Sequence, residues 1–190
     1  WYRTPQQRNA LGALVLESTA RFIEHYRRRI SKDDESVLRA FAPRCTEWLQ
    51  GRSERFAPVH GDYRLDNLLF GISGADGVEV TAVDWQTVDI GLPGRDLGYF
   101  LGNSLVPAER RRFEVELVRS YYDGLLRYDV DNYSWQDCFD DYRYGQFQGL
   151  MITVLASVGL SHTERGDAMF MAMSSRACEA IRDLDSFDLL

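Results

Sequence analysis

"VHGDYRLDNLLF", Val59 to Phe70, places a His, three charged residues and an Asn between two apolar ends. Such a stretch is either an ordinary polar turn between strands or a loop built to do chemistry. A single Asp in a polar loop is usually a turn or cap residue, so the neighbours decide. Asp62 and Asn67 stand at the two ends of a short span, and the β-branched run "VEVTAVDW" ends by delivering a further carboxylate, Asp84. A loop of this length can turn its first and last side chains into one cleft, and a strand ending beside it can add a third oxygen ligand. Transfer of a phosphoryl group from a nucleotide needs a carboxylate to position the attacking hydroxyl and accept its proton, and hard oxygen ligands for Mg²⁺ on the phosphates. Asp62 suits the first role, and Asn67 with Asp84 the second.

Composition permits this chemistry and excludes other kinds. The 190 residues suffice for one core of ordinary size, and 45% of them are hydrophobic. The 22 Lys plus Arg against 29 Asp plus Glu leave a net charge of −7, which argues against a nucleic-acid partner. Cys45, Cys138 and Cys178 form no CxxC pair, so reduced thiols in a cytoplasm are expected and a zinc site is not. The longest apolar run, Leu150 to Leu160, is too short to span a bilayer, and no membrane partner is expected. The N-terminus shows no signal peptide.

Around the loop the pattern is helical. "TPQQ" at Thr4 to Gln7 offers a cap, a proline in the first turn and a capping-box Gln, opening a helix to about Arg29. A second helix is expected from Asp33 to Gln50, weakened by Pro43. After the β segment, whose turn is read in "GISGADG", helices are expected over Arg95 to Ser104, Pro107 to Arg127, Ser134 to Leu160 and Ser161 to Leu184. Ser134 with Asp137 and Ser161 with Glu164 have capping-box spacing. The expected fold class is α+β and mostly helical: two helices, a small β core carrying the loop, then four helices.

"HGDxxxxN", the strand-terminal "DW" and "GRDLGYF" together resemble the C-terminal lobe of the aminoglycoside phosphotransferase and choline kinase-like superfamily, which has a protein-kinase-like fold. The likeness is strong from Phe56 to Leu105 and looks closest to bacterial phosphotransferases related to the ecdysteroid kinase-like branch. It implies that Asp62 is the catalytic base, that Asn67 and Asp84 bind Mg²⁺, and that His60 and Asp96 hold the loop in shape. ATP would be the co-substrate and a small-molecule hydroxyl the acceptor. Gly61 and the Trp85-Gln86 pair stand where protein kinases differ, which favours small-molecule kinases.

The resemblance also implies a nucleotide-binding N-terminal lobe, with a phosphate-covering loop and a Lys, before the loop. Residues 1–59 read as helical, with Lys32 as their one Lys, in a polar turn. The expectation is therefore that residues 1–190 are the C-terminal lobe, with the nucleotide roof supplied by a longer protein or a partner. A non-catalytic module binding a ligand or partner is the alternative.

On the helix from Ser134, Asp137, Asp141, Tyr144 and Gln148 recur on one face. Asp137, Asp141 and Tyr144 are candidates to bind the acceptor, although a solvated face is the plainer expectation. Arg64 with Asp66 reads as a solvated ion pair, and "RRR" at Arg110 to Arg112 as a solvated helix start. His25 and His162 show no ligand spacing and read as surface or capping residues.

Overall fold

Thr4 opens α1 (Pro5–Tyr26) with the expected capping box: its hydroxyl accepts from the Gln7 amide at 3.2 Å, and the Gln7 side chain accepts from the Thr4 amide at 2.8 Å. This computed structural model describes residues 4–73 and 77–190. The helix stops before Arg29, because the Arg29 and Ile30 amides both turn back onto the Tyr26 carbonyl. Ser31 caps α2 (Lys32–Phe41). Pro43 does more than weaken the next stretch: it divides the expected helix into α2, a 3₁₀ turn over Ala42–Arg44 and α3 (Cys45–Gln50).

Four short strands follow. β1 (Ala57–Val59) pairs antiparallel with β4 (Asp89–Gly91), and β2 (Leu68–Ser73) pairs antiparallel with β3 (Gly77–Ala82), Leu68 facing Ala82. The strands enter the stretch read as a turn from both sides, and residues 74–76 lie outside the described residues. β3 ends at Ala82 rather than Trp85, since Asp84 takes a left-handed conformation (φ 63°, ψ 55°) and Trp85–Thr87 form a 3₁₀ turn.

The remaining elements are α4 (Gly94–Ser104), α5 (Pro107–Arg127), α6 (Trp135–Gly145), α7 (Phe147–Gly159) and α8 (Glu164–Asp183). The helix expected from Ser134 to Leu160 is two helices. Near Gly145 the backbones of α4 and α6 meet so closely that a Cβ there would lie within 1.9 Å of the Gly94 carbonyl oxygen, and the Gln146 amide turns to the Arg143 carbonyl. Ser134 and Asp137 form their capping box. Ser161 does not cap α8; Thr163 does, accepting from the Gly166 amide at 3.0 Å.

The main core lies between the N-terminal helices and α7 and α8, where Phe22, Phe41, Trp48, Phe147, Leu150 and Ile181 are buried together. A second cluster, Leu101, Val118, Cys138, Tyr142 and Leu184, joins α4, α5 and α6. Arg110 corrects the expectation of a solvated helix start. It is 1% exposed and ion-paired to Glu114 and Asp183, and Tyr142 also donates to Glu114, so a buried charge cluster ties α5 to α6 and α8. The thiols of Cys45, Cys138 and Cys178 are buried and unbridged. Among the described residues no helix is long and apolar enough to cross a membrane.

Candidate active site

The loop after β1 is held from below by Asp96, on the first turn of α4. Its carboxylate accepts from the His60 amide at 2.5 Å and the Gly61 amide at 3.0 Å. Burial pushes the Asp96 carboxyl above its ordinary range, and those two amides, which favour the charged form, oppose the rise. Gly61 is required by the turn: its φ is +83°, and a Cβ would lie 2.6 Å from the Thr87 carbonyl oxygen. Thr87 donates to the His60 carbonyl at 2.7 Å, and Gln148 on α7 donates to the Gly61 carbonyl at 3.0 Å. Arg95 in turn donates to the Gln148 amide oxygen.

His60 is buried, with Nε2 2.8 Å from the Val83 carbonyl. A carbonyl only accepts, so this contact assigns the proton to Nε2 and leaves Nδ1 to accept, at 3.4 Å, from the Asp62 amide. His60 is thus a brace between the loop and the end of β3.

Asp62 is half-buried, and its two oxygens are fixed separately. The Tyr99 hydroxyl donates to Oδ1 at 2.9 Å, and the Asn67 amide donates to Oδ2 at 3.1 Å and to the Asp62 carbonyl at 2.8 Å. Burial, and then the Asp62 charge, push the Tyr99 phenol far above its ordinary value, so it remains a donor. With its NH₂ committed to Asp62, Asn67 turns its side-chain oxygen away from that partner. The Asn67 carbonyl accepts from the Val83 amide at 2.9 Å, which fastens the end of β3 to the loop one residue before Asp84. Asp84 is exposed, and its carboxylate makes no hydrogen bond or ion pair among the described residues. Arg64 pairs with Asp66 at 3.5 Å on the surface and lies 3.8 Å from Asp62.

A groove of about 240 Å³ opens beside Asp62, lined by Arg64, Tyr99, Asn103, Met169, Met173 and Arg176. The side-chain oxygen of Asn103, a buried residue, has no hydrogen-bond partner among the described residues.

The other candidates lie apart from this network. Asp141 is 1% exposed and accepts from Arg52, Arg55 and Tyr133. Asp137 binds Ser134 and Arg55, and the buried Tyr144 donates to the Trp48 carbonyl at 2.6 Å. The face on α6 and α7 expected to be solvated is so only in part: Asp141 is covered by Arg52 and Arg55 and Gln148 reaches the loop, while the Asp137 side chain stays 44% exposed. Tyr99 and Gln148 are the contacts missed at the loop. Tyr99 follows Asp96 by one helical turn, so its facing the same cleft was readable from "DLGY"; nothing local pointed Gln148 at Gly61.

A carboxylate held by two neutral donors, beside an amide oxygen, can take a proton from a hydroxyl. The chain belongs to the phosphotransferase enzyme family, whose model matches residues 2–130. No curated protein and no solved structure matched the chain.

Proposed function

We propose that this chain is the catalytic lobe of an ATP-dependent phosphotransferase that moves the γ-phosphoryl group to a hydroxyl of a small molecule. The observation that supports it most is the fixing of Asp62 by Tyr99 and Asn67, with Tyr99 and the neighbouring Arg64 also lining a groove. Asp62 aligns the acceptor hydroxyl and takes its proton as the new P–O bond forms and the bond to the ADP leaving group breaks. General-base help of this kind is typically worth about 10²–10⁴-fold. Asn67 Oδ1 and Asp84 fit Mg²⁺: both are hard oxygen donors, one turned outward by its NH₂ bond to Asp62 and the other unpaired and exposed. Bound there, Mg²⁺ offsets the negative charge of the phosphates.

The acceptor groove is assigned to the cavity beside Tyr99, whose lining includes the polar side chains of Arg64, Asn103 and Arg176. Asp137, Asp141 and Tyr144 already use their polar atoms elsewhere. Among the described residues before His60 the elements are helices and the strand β1, with no glycine-rich loop over Asp62. The nucleotide cover is assigned to a further lobe packing on the β2–β3 hairpin, where Phe70, Val78 and Val80 expose one apolar face. Three unbridged thiols suit a reducing compartment such as the cytoplasm.

The test is ADP release by the protein with Mg-ATP and a panel of hydroxylated small molecules. Acceptor-dependent release is expected, lost in Asp62→Asn with nucleotide binding retained, while Asp84→Asn raises the Mg²⁺ requirement. Unchanged turnover in Asp62→Asn overturns the assignment and leaves a binding module.

A further inference from the structure

Far from Asp62, the last turn of α1 meets the first turn of α8. The rings of His25 and His162 stack with centroids 4.0 Å apart and planes 18° apart. Asp167 lies beside them, its Oδ1 3.1 Å from His162 Nδ1, and accepts from the Tyr26 hydroxyl at 2.6 Å across 141 residues of sequence. One donor atom from each of His25, His162 and Asp167 lies within 4.8 Å of the other two. A cavity of about 150 Å³ adjoins, lined by Arg21, His25, Tyr26, Ser157 and His162.

A hydrogen bond between His162 and Asp167 needs no second imidazole, and both histidines are exposed, so burial does not explain their meeting. Two imidazole nitrogens and a carboxylate oxygen are ligands of zinc-class ions, with bonds of about 2.0–2.2 Å and a fourth position open. Tetrahedral ligand atoms at that bond length stand roughly 3.4 Å apart. Rotation of two exposed histidines closes the remaining gap. Tyr26 supplies the outer hydrogen bond that orients the carboxylate, as at established metal centres. Imidazole ligands select zinc-like ions over Mg²⁺ and Ca²⁺, which take oxygen.

We propose that His25, His162 and Asp167 form a binding site for a divalent transition ion of the zinc class, stapling the end of α1 to the start of α8. Further along α8, Met169 and Met173 line the groove beside Asp62, so the ion would steady one wall of that groove.

The chain offers few competitors. Its third histidine, His60, is bound to Val83, and its three cysteines are buried. The experiment is calorimetric titration of metal-stripped protein with ZnCl₂, together with thermal melting and the visible absorption of the Co²⁺ form. One Zn²⁺ per chain and a raised melting temperature are expected, with no comparable titration by MgCl₂ at this site. Uptake is expected to vanish in a His25→Gln, His162→Gln double variant shown by circular dichroism to be folded, to weaken roughly tenfold in Tyr26→Phe, and to persist in Asp84→Asn. No uptake at millimolar ZnCl₂ overturns the site. So does uptake unchanged in the double variant, or lost in Asp84→Asn, which would put the ion at the loop.

Discussion

The Tyr99 hydroxyl donates to Asp62 Oδ1 at 2.9 Å, which makes α4 a direct support of the proposed base. Tyr99→Phe removes that donor and little else, since the ring is buried. A hydrogen bond to a charged group is worth about 1.5–3 kcal/mol, so turnover is expected to fall by roughly 10- to 100-fold. Steady-state kinetics should place the loss in kcat, with KM for Mg-ATP nearly unchanged, because Tyr99 lines the acceptor side.

Gly61→Ala should damage the same loop by another route. The positive φ and the Thr87 carbonyl oxygen 2.6 Å from the new Cβ leave no relaxed position. Strain of this type costs about 1–3 kcal/mol. The measurement is urea unfolding, with loss of activity accompanying a lowered midpoint as the Asp96 contacts to the loop amides are pulled apart.

Asp141 is a different kind of aspartate, a buried charge held by Arg52, Arg55 and Tyr133. Removing one partner of a buried ion pair strands the others, and Asp141→Ala is expected to destabilise by about 3 kcal/mol. That figure sits at the low end of the range because both arginines are partly exposed. A Tyr133→Phe variant should cost less, as the guanidinium groups keep their partner. Equal melting temperatures for wild type and Asp141→Ala would refute the buried-charge account.

The thiols titrate in a direction set by burial. It pushes Cys45 from 9.0 up to about 12 and Cys138 from 9.0 up to about 11. A raised folded value means that the unfolded chain loses its proton first, so this contribution to stability is complete below pH 9 and fades as pH climbs through the folded values. Native protein treated with iodoacetamide at pH 8 should stay unmodified by mass spectrometry, and urea should open all three thiols to it.

Much of the framework was legible because its causes are local. The Thr4 and Ser134 capping boxes need only residues three apart, α5 spans Pro107–Arg127 as its apolar spacing predicts, and the hairpin follows from β-branched runs around glycines. The same holds for the loop, where His60, Gly61, Asp62 and Asn67 stand close in sequence. The misses have a common physical origin. Pro43 and Gln146 break helices whose periodicity continues through them, and Ser161 has cap spacing without the backbone turn that Thr163 makes.

Short-range order thus resided in the amino-acid sequence: element types, most helix starts, the loop carrying Asp62 and Asn67, and the family to which the chain belongs. Burial of Arg110 and Asp141, the reach of Gln148 to Gly61, the hold of Tyr99 on Asp62 and the meeting of His25 with His162 came from packing alone. Periodicity shows which residues share a face of one element. Whether a polar face meets water, a guanidinium or another imidazole depends on which distant element packs on it, and no local spacing encodes that.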